Sequence, residues 1–98
     1  MIITTEILTE FKERMRLGDD EDANLMRILT ASHQALYKVC GGRDIKVDEE
    51  FKELVFERAR YVYNDALEYF DTNFLSRINT LALSSALEEV EGDSDETI

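Results

Sequence analysis

From Phe51 to Phe70 the chain runs without a Gly or a Pro, and its apolar residues recur at helical spacing. At about 100° per residue, Phe51, Val55, Ala59, Val62, Ala66 and Tyr69 share one stripe. Phe56, Tyr63, Leu67 and Phe70 form a second stripe beside it. Together they cover roughly 160°, wider than one buried face requires. Glu53, Glu57, Arg60, Asn64 and Glu68 fill the opposite arc. A helix with so broad an apolar arc must touch more than one neighbour. Either it is the central helix of a bundle, or it divides its faces between a core and another subunit. The pattern predicts one helix over 48–70, capped by Asp48, with Glu49 and Glu50 in its first turn.

Three further helices are predicted as its partners. The first spans 5–17: Thr5 caps it, Ile7, Leu8, Phe11 and Met15 line one side, and Gly18 ends it. The second spans 22–40 and carries a stripe of Leu25, Ile28, Leu29, Ser32, Ala35, Leu36, Val39 and Cys40. Gly41 and Gly42 end it. A short connector follows, with Ile45 and Val47 pointing one way. Asp71-Thr-Asn73 reads as a turn, and a last helix spans 76–90. On that helix Ile78, Leu81, Ala82 and Ser85 share one side, and Leu83, Ala86, Leu87 and Val90 the other. The expected fold is an all-α four-helix bundle over 1–91 with a flexible acidic tail over 92–98. Leu25, Leu29, Leu36, Val55, Ala59 and Val62 are its expected core.

Charge narrows the function. Among 98 residues, 22 are acidic and 11 basic, a net charge of −11. That opposes binding driven by clustered Lys and Arg to nucleic acid or an anionic membrane. Six of the acids lie in the last eleven residues, Glu88 to Ile98, with no base among them. Asp19-Asp-Glu-Asp22 lacks the alternating ligands, central Gly and distal Glu of a calcium loop, and reads as the acidic start of a helix. His33 is the single histidine and Cys40 the single cysteine, so neither a metal set nor an intrachain disulfide is expected. No catalytic residue and no cofactor is predicted. Glu57, Asp65 and Glu68 are the acids nearest the aromatics of the third helix, but Glu57 and Glu68 lie on its polar arc. Met1-Ile-Ile-Thr-Thr-Glu6 has neither the basic nor the apolar region of a signal peptide, and no apolar run approaches a membrane span.

The order of segments carries a resemblance. A short helix and the acidic Asp19–Asp22 precede Asn24-Leu-Met-Arg-Ile-Leu-Thr-Ala-Ser-His-Gln-Ala-Leu36 and Cys40-Gly-Gly. Glu57-Arg-Ala-Arg-Tyr-Val-Tyr-Asn-Asp-Ala-Leu-Glu-Tyr-Phe70 and Asn73-Phe-Leu-Ser-Arg-Ile-Asn-Thr-Leu81 follow. Over roughly Ile3 to Val90 this resembles the small head-tail connector, or head-completion adaptor, proteins of tailed bacteriophages and prophages. The connectors of phages infecting Gram-positive hosts are the most alike. The resemblance implies a non-enzymatic structural protein of the virion, made in the host cytoplasm. It implies a ring of copies on the portal protein that extends the DNA exit channel and receives a stopper or tail-completion protein. DNA would pass nearby without specific binding. A different class of function, a small acidic regulator or DNA mimic held by a basic partner, is the alternative.

Contacts follow from both lines. Arg58 and Asp65 lie beside the core stripe, and each is expected to find a partner on another helix or another subunit. Tyr63, on the second stripe, joins them. At the C-terminal end Leu83, Leu87 and Val90 offer an apolar edge, with Glu88, Glu89 and Glu91 as acids that can meet basic side chains.

Overall fold

The computed structural model describes residues 2–97, with side chains as far as Glu88. The side chains of Glu89, Val90 and Glu91 and those of the expected acidic tail lie outside the described residues. The fold is all-α: α1 Thr5–Met15, α2 Asp22–Tyr37, α3 Glu49–Tyr63 and α4 Phe70–Thr97, with a 3-10 turn at Leu67–Tyr69. No strand occurs among the described residues.

The core is built where the stripes meet. Leu25, Leu29 and Leu36 of α2 pack with Phe51, Leu54, Val55 and Ala59 of α3, all buried. Ile7, Leu8 and Phe11 of α1 close one side, Phe11 lying against Phe56 with ring centroids 5.4 Å apart. Phe70, Ile78 and Leu81 of α4 close another. Removing these side chains from water is what holds so small a chain together.

The caps explain the element ends. Asp48 accepts the Phe51 N–H at 3.0 Å and caps α3 as expected. At α1 the capping hydroxyl is that of Thr4, which accepts the Ile7 N–H at 3.2 Å, and not that of Thr5. The left-handed terminating residue of α1 is Arg16 (φ 58°), two positions before the expected Gly18. Gly41 (φ 91°) and Gly42 (φ 73°) terminate the turn after α2.

The main difference from the sequence expectation lies in 51–70, which is not one helix. Asp65 is left-handed (φ 56°), and the Ala66 N–H reaches the Tyr61 carbonyl at 2.8 Å while the Asp65 N–H reaches that of Val62 at 3.1 Å. That is a glycine-type helix ending made with an aspartate. α4 then starts at Phe70, so Asp71–Asn73, expected as a turn, is helical. The break rotates Tyr69 into solvent and leaves Val62 only half-buried. α2 ends at Tyr37, short of the expected residue 40; Ala35 within it and Val39 beyond it are exposed, and in the connector Ile45 is buried while Val47 faces solvent. The connector coils into turns, so an alternating pattern has no sheet to orient it.

Candidate interaction surface

α4 has two faces of different character. Phe70, Phe74, Ile78, Leu81 and Ser85 recur at spacings of three and four and face the body. Leu75, Leu83 and Leu87 face away, 54%, 61% and 52% exposed, with Ala86 beside them. From Thr72 to Leu87 the helix carries one charged residue, Arg77, whose guanidinium lies over the Phe74 ring at 5.5 Å. The outward face is therefore uncharged, its exposed leucines interleaved with Thr72, Ser76 and Asn79, on a chain of net charge −11.

The loop after α2 fixes α4 in place. The Arg43 guanidinium donates to Asp48 Oδ2 at 2.7 Å and to the Leu81 carbonyl at 3.0 Å. The Ser85 hydroxyl donates to the Cys40 carbonyl at 3.1 Å. Burial works to raise the Asp48 pKa, but the Arg43 and Phe51 N–H hydrogen bonds outweigh it and hold the carboxylate below its usual range. Gly41 leaves room for this contact, since a Cβ there would lie 2.3 Å from Ser85 Cβ. Nothing in the sequence pattern marks Arg43 as the residue that joins loop, α3 and α4.

The expected contact residues fall into two groups. Arg58 is half-buried and donates to Ser32 Oγ of α2 at 3.1 Å, a partner on another helix as anticipated. Burial lowers its pKa, and Asp71 opposes the shift. The Tyr63 hydroxyl donates to Glu21 Oε2 at 2.6 Å, which raises its pKa and ties the end of α3 to the start of α2. Asp65 is exposed, and its role is conformational. Leu83, Leu87 and Glu88 are exposed further along α4. Leu83 lies 13 residues beyond the start of α4 at Phe70, roughly 20 Å along the helix at 1.5 Å per residue. Glu89, Val90 and Glu91 lie outside the described side chains.

The acids considered for chemistry have other work. Glu57 receives both Arg14 (3.2 Å) and Arg60 (2.7 Å), and Arg14 also forms a two-point pair with Glu53. Lys12 bridges Asp19 at 2.6 Å and Asp22 at 2.9 Å, so two acids of the run hold α1 to α2. His33 is buried between Tyr37 and Phe51, with ring centroids 5.2 and 5.6 Å away. Among the described residues no group of His, Cys, Asp and Glu could hold a metal ion, and no helix is long and apolar enough to cross a membrane. Comparison with family models, with curated proteins and with solved structures finds no match for this chain.

Proposed function

We propose that this protein is a structural assembly subunit of the head-tail connector type and not an enzyme. In this reading copies form a ring on the portal protein of a tailed phage, extend the DNA exit channel and receive a stopper or tail-completion protein. The observation that carries the proposal is the outward face of α4. Its inner face is already used by the body, and Leu75, Leu83 and Leu87 are left exposed on its other side. The acidic balance suits a wall past which DNA slides, since like charge repels phosphate. The internal pairing of Asp19, Asp22, Asp48, Glu53 and Glu57 speaks against a DNA mimic, which needs its carboxylates free along one face.

The test is negative-stain imaging of a portal ring mixed with the full chain or with Leu83→Asp/Leu87→Asp. The wild type is expected to add ring-shaped density to the portal, and the variant to leave it bare while melting at the same temperature. Truncation after Leu87 is expected to weaken the complex, and wild-type binding to fall as salt rises. A portal that stays bare with the wild type, or is capped equally by the double variant, overturns the reading.

A further inference from the structure

We propose that the elbow at Asn64–Ala66 is a hinge through which α4 exchanges between copies of this chain, docking its inner stripe on the α3 of a second copy. The elbow is held by Asp65 at φ 56°, a conformation that costs an aspartate more than a glycine. The following 3-10 turn has Ala66 as its N-cap and no side-chain capping bond. Nothing in 51–70 other than this turn opposes a continuous helix, because the segment holds no Gly or Pro.

Helical phase supports the straight form. With 64–69 helical, Phe56, Tyr63 and Phe70 run on into Phe74, Ile78 and Leu81 within an arc of roughly 80°. Leu67, now in contact with solvent, falls on that same stripe. The sequence thus encodes one apolar stripe, with Arg60 at its edge, that the bent form cuts in two. Straightening carries α4 away from its own α3 and uncovers Leu54, Ile78 and Leu81, which the bent form buries.

The surface that fits the freed stripe is the one it left, on another molecule. The Arg43 bond to the Leu81 carbonyl and the Ser85 bond to the Cys40 carbonyl can both re-form between copies. The two forms then differ mainly in the relief of the elbow and the cost of association. Arg77 is the single charge between Thr72 and Leu87, so this stretch of α4 meets an acidic neighbour without repulsion. α1, α2 and α3 keep their own core of Phe11, Leu25, Leu29, Phe51 and Val55 throughout. None of this depends on the phage reading or on the outward face of α4.

Light scattering with size-exclusion chromatography of the full chain tests the exchange, using wild type, Asp65→Gly and Asn64→Ala/Asp65→Ala. Alanines favour the straight helix and glycine the bend, so the dissociation constant should tighten about tenfold in the first case and weaken about tenfold in the second. Asp65→Gly relieves the folded elbow, so it reports even if the double alanine unfolds. Adding Leu83→Asp/Leu87→Asp to each should leave that order intact, which separates exchange from association through the outward face. Monomers throughout at millimolar concentration, a different order, or assemblies that the aspartates dissolve would overturn the proposal.

Discussion

His33 lies between the rings of Tyr37 and Phe51, and burial lowers its pKa below the ordinary 6.5, with Asp44 opposing. Below about pH 6.5 the unfolded chain therefore binds a proton that the folded chain resists, and stability falls as pH drops towards the folded pKa. His33→Leu should flatten that limb of a urea-midpoint profile. Asp48 works in a lower window. Its pKa is held below 3.8, so its contribution is present above that pH and lost as pH falls through the folded value. Asp48→Asn should make this second limb shallower, with Glu53 and Asp19 still contributing to it, and leave the first. In the core, Leu54→Ala should cost about 2–5 kcal/mol in chemical unfolding, because Leu54 is fully buried beneath α4. Residue by residue, the sequence was informative where a side chain had one environment open to it. Leu25, Leu29, Leu36, Val55 and Ala59 are buried as their spacing requires, and Arg58 finds Ser32 across the helix gap. Arg43 could not be read, because its partners are a carbonyl 38 positions away and an acid whose capping role already explained it.

Elements ended where small backbone choices decided, and there the sequence was ambiguous. Four helices and the α3 cap were legible from periodicity and from Asp48. The elbow was not, because Asn64 and Asp65 tolerate a left-handed turn without demanding it. Their adjacency in an otherwise apolar run was the one available signal. Two glycines make the contrast measurable. Gly41 has φ 91° and its Cβ would collide with Ser85, so Gly41→Ala should cost about 1–3 kcal/mol and loosen the α4 contact. Gly18 has open space around it, so Gly18→Ala should be neutral or stabilising by up to about 1 kcal/mol in thermal melts.

Across the whole molecule, charge is sorted by place. Lys12, Arg14, Arg43 and Lys52 tie acids of the body into ion pairs that bridge elements, while the sequence from Glu89 onward holds five further carboxylates. Ending the chain at Glu88 takes the net charge from −11 to −6. The shortened chain should therefore show a shallower salt dependence in binding any basic surface. The candidate surface was legible in part: Leu83 and Leu87 were visible as surplus apolar residues, whereas Leu75 was hidden by a helix start expected six residues too late. The clamp at Leu81 and Ser85 sets a timetable for the amides. α4 is held by α3, the elbow turn and two hydrogen bonds shared with one loop, Arg43 donating to α4 and Ser85 of α4 donating back, so its release exposes its own N–H groups while α2 and α3 stay folded. In deuterium, the amides of α4 between Ile78 and Glu88 should exchange together, at a single shared rate faster than those of Leu29 and Val55. Arg43→Met should accelerate the first set and leave the second waiting for the whole molecule to unfold.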